Sequence, residues 1–133
     1  GGGQMGGGIA QVAAVSGHAV VLVDSSEAQL ERAKADHAKR LAREVEKGKM
    51  DAAAREAALA KISYTTDLEK VGGADIVIEA IVEDEGVKAE LFGRLAKVLT
   101  GNQILASNTS SISITRIAAA AEKAFAGAGA RVI

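Results

Sequence analysis

Apolar residues recur along this chain in two rhythms, a spacing of three or four and short unbroken runs, and the two rhythms alternate. From Gln4 to Ser16 the positions Met5, Ile9, Val12, Ala13 and Val15 predict a short helix, and Gly17 ends it as a C-cap would. The run Ala19-Val20-Val21-Leu22-Val23 is continuous and β-branched and stops at Asp24, which predicts a strand buried on both faces of a parallel sheet. Ser26 then caps a long, largely solvent-facing helix from Glu27 to about Lys47. Gly48 breaks it, and Asp51 heads another helix to about Lys61. Ile62 to Thr66 can form a short strand, and Ala74 to Ala80 reads as a further buried strand after Gly72-Gly73. A helix from about Glu85 to Leu99, a strand from Gln103 to Ser107 and a helix from Ile114 to about Lys123 complete the pattern.

Strands that alternate with helices predict an α/β fold, a doubly wound Rossmann-like parallel sheet with helices on both faces. At 133 residues the chain fits one domain, 1–133. Aromatic residues are almost absent, so the core is to be built from Ala, Val, Ile and Leu. The 16 basic and 17 acidic residues nearly cancel and form no block, which argues against nucleic acid as a partner. Without cysteine there are no disulfides and no thiolate metal sites, and no metal is expected. No segment has the length and apolarity of a membrane span, so a cytoplasmic protein is expected.

The candidate chemistry lies at the start, where Gly1-Gly2-Gly3-Gln4-Met5-Gly6 carries glycines at the GxGxxG spacing. On its own that spacing is weak, because a chain with 15 glycines can produce it by chance. Its surroundings strengthen it. A helix begins inside the motif, so its unsatisfied amides and positive dipole end face an anion. The next strand ends at Asp24, close to the roughly 20-residue offset at which a carboxylate holds the adenosine ribose. A negative charge there would repel a 2′-phosphate, so NAD is favoured over NADP. The strand that should feed Gly1 does not precede it, and a flexible glycine leader stays open as the plainer reading. The sheet is therefore expected to lack its first strand and the domain to be partial.

Further motifs fall in order. They are Gly17-His18-x-Val20-Val21-Leu22-x-Asp24, Val77-Ile78-Glu79-Ala80-Ile81-Val82-Glu83, Val87-Lys88-x-Glu90-Leu91-Phe92 and Ala106-Ser107-Asn108-Thr109-Ser110-Ser111-x-Ser113-Ile114-Thr115. With Gly1 to Ala14 they make residues 1 to about 123 resemble the N-terminal NAD-binding domain of the 3-hydroxyacyl-CoA dehydrogenases, including the 3-hydroxybutyryl-CoA dehydrogenases. The resemblance implies an oxidoreductase of fatty acid metabolism and β-oxidation that converts (3S)-3-hydroxyacyl-CoA to 3-ketoacyl-CoA with NAD. It implies that Gly1, Gly3, Gln4, Met5, Gly6 and Asp24 hold the adenosine and pyrophosphate half of NAD. Glu83 and Lys88 would lie beside its ribose and nicotinamide end. Asn108 and Ser110 would reach the junction of nicotinamide and substrate, the Ser110 hydroxyl bonding the substrate oxygen. Arg40 and Lys47 align with the region that contacts coenzyme A.

Plainer readings stand beside these. Glu83 and Lys88 could form a surface ion pair, Asn108 to Ser111 a polar turn and helix cap, and Arg40 and Lys47 a solvated helix face. The resemblance also has gaps. The family's catalytic His and its Glu partner have no counterpart, and His18 and His37 read as surface or packing residues. The helical C-terminal domain, through which the full enzyme would form a homodimer, is not matched either. Val132-Ile133 reads as the start of the family's next strand, or alternatively as the first strand of a rearranged chain. The isolated chain is thus expected to bind dinucleotide without turnover. Rival readings are a non-catalytic nucleotide-binding module and a related sugar-acid or hydroxyacid dehydrogenase.

Overall fold

The computed structural model describes residues 1–99 and 101–133. The chain divides into two compact units, Gly1–Asp67 and Leu68–Ile133.

The first unit holds helix α1 (Gln4–Val15), strand β1 (Val20–Val23), helices α2 (Glu27–Glu46) and α3 (Ala52–Ala60), and strand β2 (Ile62–Thr65). Each boundary has a local cause. Gly17, at φ +94°, takes the left-handed turn that lets His18 N–H reach back to the Ala13 carbonyl and close α1. The Ser26 hydroxyl accepts the Gln29 amide at 3.2 Å and the Asp51 carboxylate accepts the Ala54 amide at 2.6 Å, capping α2 and α3 as their positions predicted. Strands β1 and β2 pair in parallel, Val20 opposite Ile62 and Val23 opposite Thr65. Ala10, Ala14, Leu22, Leu30, Ala33 and Ile62 form the core, with Val20 and Tyr64 packed against it. Small alanines let α1 and α2 approach the strands closely.

The second unit runs from a 3-10 turn (Leu68–Gly73) through strand β3 (Ile76–Glu79), helix α4 (Glu85–Val98), strand β4 (Ile104–Ser107) and helix α5 (Ile114–Ala124) to a short 3-10 turn (Gly129–Arg131). Asp84 caps α4 by accepting the Val87 amide at 2.9 Å. Phe92, Leu95, Ala96, Leu105, Ile117 and Ala121 are all buried. Helix α4 packs against α5 at Gly93, where a Cβ would be in ordinary contact with the Ala124 Cβ at 3.7 Å. Strands β3 and β4 are parallel, Ile76 opposite Ile104 and Glu79 opposite Ser107.

Val132 bridges Leu105 in parallel, with Ile133 N–H on the Leu105 carbonyl and Ser107 N–H on the Ile133 carbonyl, both at 2.9 Å. The tail is the start of a strand beside β4, and the rearranged reading, which needed Val132 next to Gly1, falls. Gly129 makes that return possible. A Cβ at this position would come within 2.9 Å of the Ala118 carbonyl oxygen, and the Glu122 carboxylate accepts the Gly127 and Gly129 amides at 3.0 and 2.9 Å.

One expectation is corrected. The runs at β1 and β3 predicted strands buried on both faces, but Val21, Ile76 and Ile78 are 40%, 45% and 43% exposed. Alternate strand residues point to opposite faces, and in each unit one face carries the buried residues, Leu22 with Ile62 and Glu79 with Leu105. An unbroken apolar run is the same whether one face or both are covered.

Candidate functional site

The glycine loop and the end of β1 are joined by short hydrogen bonds within the first unit. Gly2 N–H donates to Asp24 Oδ2 at 2.7 Å, and Ser26 N–H donates to Asp24 Oδ1 at 2.9 Å. The Gly1 amino group donates to the Val23 carbonyl at 2.8 Å, and Gln29 Nε2 to the Gly2 carbonyl at 2.8 Å. Asp24 is thus held in place by backbone, with further lone pairs on both oxygens for a hydroxyl donor.

Gly3 is the N-cap of α1 and offers no side chain to the first-turn amides. Those amides include Gln4, Met5 and Gly6, and a helix start with no side-chain cap turns its donors and its dipole toward whatever anion approaches. Nothing stands within 4 Å of the point where a Gly3 Cβ would be, so this side of the loop is open. An open anion cradle beside a fixed carboxylate suits a pyrophosphate followed by a diol.

In the second unit the polar residues predicted from sequence gather at the carboxyl ends of β3 and β4. Lys88 is fully enclosed, its Nζ 2.6 Å from Glu79 Oε1 and 3.3 Å from Glu83 Oε2. Glu79 is also enclosed, and its carboxylate accepts the Ile81 amide and the Ser107 hydroxyl, each at 2.6 Å. The plain reading of Glu83 and Lys88 as a surface ion pair holds for Glu83, 39% exposed at its side chain, and fails for Lys88 at 0%. Sequence reasoning passed over Glu79 and Ser107. One signal pointed to Glu79, a carboxylate ending an apolar strand, whereas Ser107 comes opposite it only through the β3–β4 register.

Asn108 continues the ladder by donating its amide to the Glu79 carbonyl at 2.8 Å, and its side chain is exposed. The hydroxyls that follow sort by direction. Thr109 and Ser111 both donate to Glu83 Oε1, Ser111 at 2.9 Å, and Thr109 Oγ1 accepts the Ile112 amide at 3.0 Å. Ser110 between them is exposed. The segment is therefore a polar turn, as half of the plainer reading had it, but it does not cap α5, whose N-cap is Ser113 with no side-chain cap bond. The Thr109 hydroxyl, with help from Ser111 and Lys88, holds the Glu83 carboxyl down to about 2, against a smaller opposing effect of burial.

Arg40 and Lys47 lie on α2 and at its C-cap, Arg40 half-buried and Lys47 exposed. His18 is exposed in the turn before β1. His37 is a packing residue, 1% exposed, with both ring nitrogens engaged by Tyr64 and Gly7. No group of residues fit to hold a metal ion occurs among the described residues. No described helix is long and apolar enough to cross a membrane.

Residues 1–130 match the family model described as 3-hydroxyacyl-CoA dehydrogenase, NAD binding domain. A protein of Deinococcus radiodurans named "Probable 3-hydroxybutyryl-CoA dehydrogenase" is 49% identical over 120 residues, covering 90% of this chain and 43% of its own. The mitochondrial hydroxyacyl-coenzyme A dehydrogenase of Sus scrofa is 47% identical over 125 residues, covering 89% of this chain and 40% of its own. The crystal structure of 3-hydroxybutyryl-CoA dehydrogenase from Escherichia coli K12 superposes with a TM-score of 0.91 at 44% identity, over 99% of this chain and 27% of that one. The chain spans less than half the length of these relatives. With its glycine loop, its carboxylate at the end of β1 and its Rossmann-like alternation of helices and parallel strands, the chain belongs to the family of 3-hydroxyacyl-CoA dehydrogenase NAD-binding domains, whose cofactor is NAD.

Proposed function

We propose that this chain is the dinucleotide-binding portion of an NAD-dependent enzyme that oxidises (3S)-3-hydroxyacyl-CoA to the 3-ketoacyl-CoA. The observation that supports the reading is the 2.7 Å bond between Gly2 and Asp24, which holds a carboxylate beside an open helix start, the arrangement a ribose and a pyrophosphate would need. NAD, when bound, supplies the hydride acceptor. The residues of this chain bind and orient. Gly1, Gly3, Gln4, Met5 and Gly6 line the pyrophosphate site, and Asp24 accepts from the adenosine ribose hydroxyls. In the second unit Glu83 stays ionised at neutral pH and takes the nicotinamide ribose, with Lys88 and Glu79 as its buried supports. Asn108 and the outward hydroxyl of Ser110 orient the substrate oxygen, and Arg40 and Lys47 attract the phosphates of coenzyme A.

Removing the proton of the 3-hydroxyl needs a base near neutrality. His37 has both nitrogens occupied inside the first unit, and His18 lies in the turn before β1 rather than at a strand's carboxyl end. Neither histidine is therefore placed to act as that base, and in the full enzyme a helical domain would close over the acyl group and pair two copies. The full enzyme would serve fatty-acid β-oxidation in the cytoplasm.

Calorimetry with NAD and an absorbance assay with acetoacetyl-CoA and NADH test the proposal together. NAD should bind with preference over NADP, and no turnover should occur. Absence of NAD binding would remove the dinucleotide reading, and turnover by the chain alone would show that it holds its own base.

A further inference from the structure

The clamp on the helix that carries the glycine loop comes from an unexpected place. His37 projects from α2 into the interior of the first unit, where its Nε2 lies 2.8 Å from the Gly7 carbonyl oxygen and its Nδ1 2.7 Å from the Tyr64 hydroxyl. A carbonyl oxygen can only accept, so Nε2 carries the proton, and in the neutral ring Nδ1 accepts from the Tyr64 O–H. Tyr64 thereby fixes both the tautomer and the ring plane, in the way a partner group orients a functional imidazole. Gly7 lies in the first turn of α1, and its amide bonds the N-cap carbonyl of Gly3 at 2.8 Å. The imidazole packs directly on this turn, and a Cβ on Gly7 would be in ordinary contact with Nε2 at 3.5 Å. A second arm of α2, Gln29, holds the Gly2 carbonyl at 2.8 Å.

We propose that His37 is a positioning residue for dinucleotide binding, which, oriented by Tyr64, fixes the first turn of α1 so that its amides meet the pyrophosphate without rearrangement. The proposal rests on the NAD-binding reading above. An amide cradle is effective to the extent that it is already in place before the ligand arrives. A backbone carbonyl held from the side by a buried ring is one way to achieve that. His37 is buried and Tyr64 packs against the core, so their effect passes through the position of α1.

The test compares His37→Leu, His37→Gln and Tyr64→Phe with the parent chain. Leucine keeps apolar bulk and removes both bonds. Glutamine can donate its amide to the Gly7 carbonyl and accept from Tyr64. By calorimetry at a temperature where every variant is folded, His37→Leu should raise the Kd for NAD about fivefold to tenfold. His37→Gln should recover most of that, and Tyr64→Phe should fall between. The ¹⁵N shifts of the imidazole should show a protonated Nε2 and a bare Nδ1, and amide exchange at Gly7 and Gly8 should quicken in His37→Leu without ligand. A lowered Tm with unchanged Kd in His37→Leu would make His37 a core residue only and overturn the proposal, as would a protonated Nδ1 in the parent chain. Should the parent fail to bind NAD, the NAD reading falls instead. The ring shifts and Gly7 exchange then decide the clamp, which unchanged exchange refutes.

Discussion

Lys88→Met isolates the energetics of the buried charge cluster. The Lys88 ammonium is 0% exposed and lies 2.6 Å from Glu79 Oε1 and 3.3 Å from Glu83 Oε2. Methionine occupies similar volume, so the substitution removes charge while leaving packing nearly intact. Glu79 would keep the Ile81 amide and the Ser107 hydroxyl, each at 2.6 Å, but lose its cation in a site closed to water. Breaking a buried pair from one side costs about 3–5 kcal/mol, and the two donors left on Glu79 place this case near 3 kcal/mol. A loss of that size is a sizeable share of a domain's roughly 5–15 kcal/mol and corresponds to a fall in Tm of roughly 10 °C. Adding Glu79→Gln removes the orphaned charge. The Gln carbonyl can accept from Ile81 and its amide can donate to Ser107, so the double variant should return to within about 1 kcal/mol of the parent. That recovery of about 2 kcal/mol over Lys88→Met is well above the departure from additivity that independent sites show. Urea unfolding followed by far-UV circular dichroism measures all four corners of the cycle, and dichroism suits a chain with one tyrosine and no tryptophan. A loss below about 1 kcal/mol in Lys88→Met, or a double variant no better than the single one, would refute the picture of a mutually dependent buried pair.

Other outcomes follow from the same geometry. Asp24→Ala should weaken NAD about 10-fold to 100-fold by calorimetry, the worth of hydrogen bonds to a charged acceptor, and should narrow the gap between NAD and NADP; equal loss for both dinucleotides would contradict the assigned role. Asp51→Ala should cost about 1 kcal/mol through loss of the α3 cap, read from denaturant midpoints. Phe92→Ala, at a side chain 0% exposed, should cost about 3–5 kcal/mol, read from the urea midpoint. Glu83 gives a pH dependence of defined sign. Its folded-state value of about 2 lies below its ordinary 4.5, so the unfolded chain takes up the proton first as the pH falls. Its contribution to stability is complete above about pH 4.5 and is lost as the pH drops toward 2. Carboxyl ¹³C titration should show Glu83 rising toward the ordinary range in Thr109→Val, and an unchanged titration would remove Thr109 as the main cause.

Much of this was readable along the chain because its causes are local. The helix caps at Ser26 and Asp51, the turn at Gly17 and the offset from the glycine loop to Asp24 each depend on a few neighbouring residues and appear where their chemistry put them. The pairs that assemble the interior are different. Glu79 meets Ser107 only through the parallel register of β3 and β4, and His37 meets Gly7 and Tyr64 only once α2 has folded over α1 and β2. No spacing rule connects a helix histidine to a residue 30 positions earlier. The exposed faces of β1 and β3 were missed for another reason: valine and isoleucine favour strands whether or not anything covers them. Lys88 illustrates the limit most clearly, since at the start of a helix with acidic neighbours it has the look of a surface lysine and is instead the most enclosed cation in its unit.

The bond between Tyr64 and His37 also gives the protein an optical reporter of its own. Tyr64 is the only tyrosine and there is no tryptophan, so the near-ultraviolet absorbance above the phenylalanine bands arises from one phenol. That phenol is hydrogen-bonded to an imidazole at 2.7 Å, and its ionisation is pushed up by burial and by the charge of Glu31. Any loosening of α1 from α2 and β2 changes the environment of this single chromophore. The condition of the glycine loop can therefore be followed in the unlabelled protein, in a spectral window free of every other residue.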